Sequence, residues 1–313
     1  QFTLVFRAKE LMVKRILAEP VRPVSENPGQ MFERARALNF LDRHEEAIEA
    51  LTLDPHTDVP LEVRWAADKL AADIRLVLGE VAPYRAFLAL SERAVDRHAE
   101  TAFRRLIEGK RVAIVGPAHT EADQRDEIDG HDVVIRTKYV KSTAGDDTSA
   151  GTRTDISYYA LGTTRFLGHE IYDAVAEGDL QMAVFRTATY DPEVHLLHHP
   201  GDLRYPPSEY LGGLRSAQFA IQRIVYDVLR YNPASVKIFN INFFLSENPY
   251  RAGYLADYTK TYAEQGLVQA LSAFGHDYRA DFVFTQRMLA AGLVDVDPAV
   301  HELLQLTPEQ YLA

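Results

Sequence analysis

Three short apolar runs, Val112–Val115, Val133–Ile135 and Ile156–Tyr159, follow one another with polar, turn-rich connections between them. Runs this short and this continuously apolar are the pattern of strands buried on both faces. Their succession predicts the first half of an open parallel α/β sheet, a Rossmann-like arrangement flanked by helices. In such sheets a ligand lies beyond the carboxyl ends of the strands. Gly116, which ends the first run, and Arg136, Thr137 and Lys138, which follow the second, are therefore expected at the site.

The pattern continues downstream. Met182–Phe185 reads as a fourth strand, and Val236–Phe243, almost unbroken in its apolarity, reads as a central one. Helices are expected near Glu170–Ala176, over Gly213–Tyr231, at Leu267–Phe274 and at Phe282–Ala291, with a short helical tail at Pro298–Leu312. Tyr190–Pro207, rich in Pro and His, is expected to be loop.

Residues 1–108 have a different texture. Met31, Ala35, Leu38 and Leu41 recur at helical spacing, as do Leu61, Trp65, Leu70, Ile74 and Val77, and Pro20, Pro23, Pro28 and Pro55 punctuate them. ALNFLDRHEEAIEAL looks like one helical hairpin of the tetratricopeptide kind, but stacked repeats need about three units to bury their faces. The chain thus divides into a helical N-terminal region, 1–108, and a Rossmann-like domain, 109–313. The helices carry no signal beyond amphipathic packing, which leaves them to hold an acceptor or a protein partner.

A net charge of −11 argues against nucleic acid as the main partner, since counterion release needs clustered Lys and Arg. The absence of cysteine excludes disulfides, thiolate metal sites and cysteine nucleophiles, and suits a cytoplasmic protein. No apolar run approaches the roughly 18–20 residues of a membrane span. Because the sequence starts at Gln1, an initiator Met or a longer leading segment is expected to precede it.

Individual signals divide between chemistry and structure. Gly116 after a strand fits a dinucleotide site, yet Pro117, Ala118 and His119 follow in place of the remaining glycines, so a turn glycine is the equal alternative. His195, His198 and His199 cluster near Glu193 and Asp202, but Pro192 and Pro200 bracket them and favour a loop without metal-ligand geometry. His98-Ala-Glu100 matches the zinc-deaminase H-x-E, which also needs cysteine ligands. His276 opens HDYRAD, with Asp281 just before the apolar run FVFTQRML. Asp281 suits the positive end of a helix dipole, and His276 is either a turn residue or a general base working near neutral pH.

Taken in order, VAIVGPA, EIDGHDVVIRTKYV and AGTRTDISYY resemble the large sialyl motif of sialyltransferases, glycosyltransferase family 29. Ile128-Asp129-Gly130-His131-Asp132, Arg136-Thr137-Lys138 and Gly151-Thr152-Arg153-Thr154 match it in order and spacing. Pro207-Ser208 with Gly212-Gly213-Leu214 and the following helix and strand is similar to the small sialyl motif, and His276 with Asp281 falls where the family carries H-x4-E. The family's two motif cysteines are absent, and its two nucleotide-contacting asparagines are Pro117 and Lys138 here. The resemblance implies a bacterial, cytoplasmic relative and a GT-A-variant fold. It implies an inverting, metal-independent enzyme that moves sialic acid or a related 3-deoxy-ulosonic acid (Kdn, Kdo) from a CMP donor to a glycan hydroxyl. The CMP-sugar is then a substrate, and no cofactor is expected. His276 is implied as the catalytic base with Asp281 in support; Gly116, Pro117, Ala118, Arg136, Thr137, Lys138, Gly212, Gly213 and Leu214 are implied as donor-binding residues. A non-catalytic nucleotide- or glycan-binding scaffold is the alternative, with a nicotinamide oxidoreductase third.

Overall fold

Alternate residues of each strand feed two different hydrophobic layers, as the two-residue period of a strand requires. In a computed structural model, Val112, Ile114, Val133, Ile135, Ile156, Tyr158, Met182, Val184, Val236 and Ile238 face one layer. Ala113, Val115, Val134 and Phe239 face the other. The structure describes residues 2–91, 97–139, 149–159, 161–185, 203–214, 216–245, 250–251, 254 and 276–312.

Among the described residues seven strands form one sheet: β1 (Arg111–Val115), β2 (Val133–Thr137), β3 (Ile156–Tyr159), β4 (Met182–Phe185), β5 (Leu203–Arg204), β6 (Ser235–Phe239) and β7 (Asp295–Val296). Their order is β5-β4-β3-β2-β1-β6-β7, and every pairing is parallel. Val112 pairs with Val133 on one side of β1 and with Val236 on the other. The chain builds outward from β1 to β5, then returns to lay β6 and β7 on the opposite side. The direction of winding therefore reverses between β1 and β6, the place where open α/β sheets leave a crevice.

Among the described residues six helices precede β1: α1 (Phe2–Ala18), α2 (Pro28–Phe40), α3 (His44–Leu51), α4 (Leu61–Val77), α5 (Val81–Ser91) and α6 (Arg97–Ile107). Asn27 caps α2 through its side chain, which accepts from the Gln30 amide, and Pro28 occupies the first turn, where its missing N–H costs nothing. A satellite core joins α2, α3 and α4 through Met31, Ala35, Leu38, Ala47, Leu51, Leu70 and Ile74. The main core does not stop at residue 108. Leu76, Tyr84, Leu88, Phe103 and Ile107 pack in the same cluster as the strands. Burying a side chain of that size stabilises by about 1.5–3 kcal/mol, so α4–α6 are bonded to the sheet by its own hydrophobic layer.

The remaining helices cover both faces: α7 (Arg125–Asp129) and α8 (Leu161–Ala176) pack on the side of Ala113, Val134 and Ala183, while α9 (Ala220–Val228), α10 (Tyr278–Ala290), α11 (Pro298–Leu303) and α12 (Pro308–Leu312) join the main core on the other. Several expectations shift. The strand expected over Val236–Phe243 stops at Phe239, because Asn240 takes a left-handed φ of 55° and turns the chain away. The helix expected over Gly213–Tyr231 begins only at Ala220, since Ala217 forms a bridge with His276 and Phe219 is extended. The loop expected over Tyr190–Pro207 contains β5, whose Arg204 is fully buried between Glu100 and Asp227. Glu100, the acid of H-x-E, is thus a partner of Arg204. Leu267–Phe274 and the histidines at 195, 198 and 199 lie outside the described residues. No helix among the described residues is long and apolar enough to cross a membrane.

Candidate functional site

At the carboxyl end of β1 the chain must pass within contact of β6. A Cβ added at Gly116 would collide with the Asn240 carbonyl oxygen and the Ile241 side chain. The Gly116 amide donates to Phe239 O (2.8 Å), and the Ala118 amide to Asn240 O (3.0 Å). Gly116 thus holds two strand ends together, and Pro117 and Ala118 carry the chain onto the wall of a cavity.

That cavity, about 190 Å³, opens where the winding reverses. Its strand side is formed by Pro117, Ala118, Thr137, Lys138 and residues Ile241–Phe244, and its helix side by Gln218–Arg223 at the start of α9. Tyr250, Tyr254 and His276 complete the lining. Backbone strain gathers at this edge. Lys138, Asn240, Phe243 and Phe244 all have φ between 48° and 63°, the left-handed region that side chains other than Gly enter at a cost of roughly 1–2 kcal/mol each. The packed layers beneath hold them there, with Phe243 stacked edge-on against Phe282 in the main core.

Lys138 follows β2, its amide donating to Tyr158 O at 2.9 Å. Burial pushes its ammonium down to about 8, and no carboxylate pairs with it among the described residues. Thr137 Oγ1 meets the Tyr254 hydroxyl at 2.9 Å. The opposite wall is aromatic: the Phe219 ring lies 4.4 Å from His276, stacked, and 4.9 Å from Phe244. Gln218 is buried in this wall, and neither polar atom of its side chain has a hydrogen-bond partner.

His276 Nδ1 stands 2.9 Å from Ala217 O. A carbonyl only accepts, so Nδ1 carries the hydrogen, and in the neutral ring the basic lone pair is on Nε2. Asp277, next in the chain, caps α10 by accepting from the Ala280 amide (3.0 Å) and pairs with Lys9 of α1 at 2.9 Å. The expected helix start therefore moves back, and Asp281 sits inside the first turn. Asp281 does not line the cavity. Its Oδ2 accepts from the Phe219 amide at 2.9 Å, and burial, with the Asp277 charge adding, pushes its carboxyl well above the usual carboxylate range. Asp281 thereby fixes the residue on which His276 stacks.

Arg136 also misses the cavity, because alternation along β2 turns it to the other face of the sheet. Its Nε donates to Arg153 O (3.0 Å) and its Nη2 to Ala150 O (2.6 Å), while burial lowers it to about 10. On that face Asp129 accepts from the Thr152 and Arg153 amides at 3.0 and 3.2 Å, and Arg153 Nη1 donates to His131 O at 2.7 Å. Asp129, His131, Arg136 and the Gly-Thr-Arg-Thr turn are thus joined into one loop support. Gly151, at φ 74° with Asp129 where a Cβ would stand, belongs to it.

Gly212 and Leu214 are brought to the N-terminal helices, and none of Gly212, Gly213 and Leu214 lines the cavity. Asn39 Nδ2 donates to Gly212 O at 2.9 Å, Arg36 Nε to Leu211 O at 2.9 Å, and Leu214 is buried with Val13, Ala37 and Phe40. Of the residues expected at the site, Pro117, Ala118, Thr137, Lys138 and His276 line one cavity. Gln218, Phe219, Phe244 and Tyr254 join them without a mark in the sequence; a lone glutamine before an aromatic carries no periodic or motif signal. A scan against protein-family models gives no match, and a search of curated proteins gives none.

Proposed function

We propose that this chain is an inverting, metal-independent glycosyltransferase of the sialyltransferase-like, GT-A-variant kind. It moves sialic acid or a related 3-deoxy-ulosonic acid from a CMP donor to a glycan hydroxyl. The observation that carries the reading is His276, whose tautomer leaves Nε2 basic at a cavity that also holds the Lys138 ammonium. In the reaction the acceptor hydroxyl oxygen bonds to the anomeric carbon as the bond from that carbon to the CMP phosphate oxygen breaks. The acceptor proton goes to His276 Nε2, and the electron pair of the broken bond stays on the phosphate. Lys138, which is partly buried, supplies positive charge where that phosphate leaves, and its reduced contact with water strengthens the interaction.

One observation favours the second reading, a nucleotide- or glycan-binding scaffold without turnover. Asp281 engages the Phe219 amide, so it is not a direct partner of His276. Incubation with CMP-sialic acid, CMP-Kdn and CMP-Kdo separates the two, because the scaffold binds CMP and releases none. In the transferase, His276→Ala lowers kcat by about 10²–10⁴-fold and leaves CMP affinity within a few-fold. Full turnover in that variant defeats the assignment of the base.

A further inference from the structure

Polar side chains around the cavity are mostly committed to protein partners. Gln222 Nε2 donates to Thr285 Oγ1 at 2.9 Å, Arg223 Nη2 to Gln218 O at 3.0 Å, and Thr137 is bonded to Tyr254. Among the described uncharged side chains that line the cavity, that of Gln218 is an exception. It is only 9% exposed, and both Oε1 and Nε2 lack a partner. A buried amide with an idle donor and an idle acceptor is costly to keep, unless a ligand completes it.

We propose that Gln218 reads the hydrogen-bonding edge of the donor's pyrimidine base, an inference that rests on the CMP-donor reading above. Cytosine offers an amino donor at N4 beside an acceptor at N3, and a carboxamide offers an acceptor and a donor at matching separation. Gln218 Oε1 accepts from N4–H while Nε2–H donates to N3, a planar two-point pair. The surroundings suit a flat heterocycle. Phe219 and Phe244 lie tilted against each other at 4.9 Å and Tyr250 lies 6.0 Å from Phe244, so the wall beside Gln218 is aromatic and apolar. Lys138, on the strand side, is left for the phosphate. Base recognition thus comes from the start of α9, whereas the nucleotide-contacting asparagines of the resembling family align with Pro117 and Lys138.

The test uses the full chain and Gln218→Leu, of nearly equal volume, with CMP followed by calorimetry. Ribose 5-phosphate, which lacks the base, is followed by saturation-transfer NMR, and thermal melting is recorded without ligand. The expected result is CMP affinity weakened by about 10-fold or more, ribose 5-phosphate binding unchanged, and a melting temperature no lower than the parent's. Equal CMP affinity in the variant overturns the proposal and leaves the donor reading standing. A parallel loss of both ligands, or a lowered melting temperature, assigns Gln218 to the sugar-phosphate or to packing and equally overturns it. A parent chain with no CMP affinity defeats the donor reading itself.

Discussion

Replacing Lys138 by Met should make the protein more stable and a poorer binder of anions at once. Burial brings the Lys138 ammonium from its ordinary 10.5 down to about 8. A shift of that size corresponds to roughly 3 kcal/mol, and water at the cavity mouth reduces it to about 1–3 kcal/mol. The sign follows from proton linkage. Between pH 8 and 10.5 the unfolded chain holds the proton that the folded chain has released, so stability from this group rises with pH across that window. Below pH 8 both states carry the charge, and the folded state bears the full cost of burying it. Lys138→Met removes that cost, keeps a long unbranched side chain at the same left-handed φ, and should raise Tm at pH 7 by about 2–4 °C per kcal/mol. Above pH 8 the advantage over the parent should shrink, and near pH 10.5 it should vanish. The assay is thermal melting of both proteins at intervals from pH 6.5 to 10.5, read as the difference so that other titrating groups cancel. A variant less stable than the parent at pH 7, or a difference that does not change with pH, refutes the reasoning. The same variant should lose CMP affinity, because the charge whose burial is costly is the one proposed to meet the phosphate.

Other substitutions separate the site from its scaffold. Gly212→Ala places a Cβ against the Tyr210 ring at the docking surface of α2; it should lower Tm while the folded fraction binds CMP as the parent does, measured by calorimetry beside melting. Arg204→Leu leaves Glu100 and Asp227 buried without their partner and should cost about 3–5 kcal/mol in denaturant unfolding. Asp281→Ala orphans the Phe219 amide at a cost of about 1–3 kcal/mol and should lower kcat by loosening the ring beneath His276. Asp281→Asn keeps an acceptor oxygen there and should restore both; a failure of Asn to rescue would show that Asp281 acts through its charge.

The strands were legible because parallel strands buried on both faces are apolar at every position, and β1 to β4 stand close to where their runs place them. β5 and β7 were not, since two residues each cannot show a period. The end of β6 is hidden for a related reason. Residues 240–244 are as apolar as the strand, but the turn is made by left-handed φ angles at Asn240, Phe243 and Phe244, which hydrophobicity does not record. Half of the site was legible from the rule that ligands sit beyond strand ends. The rest depends on which face a side chain takes. Arg136 and Thr137 are neighbours in sequence, and only Thr137 reaches the cavity. Gly212 and Gly213 carry a motif whose place is decided by contacts with α2, residues more than a hundred positions away. Gln218 is visible only as an unpaired buried amide, a property of the folded chain.

A crystal structure of the chain grown with CMP tests the central claim most directly. The account predicts one nucleotide in the cavity between β1 and β6, with its phosphate at Lys138, its base against Phe219 and Gln218, and His276 facing the phosphate side. CMP bound instead against Gly212 and Gly213, or this cavity empty at saturating CMP, would contradict it.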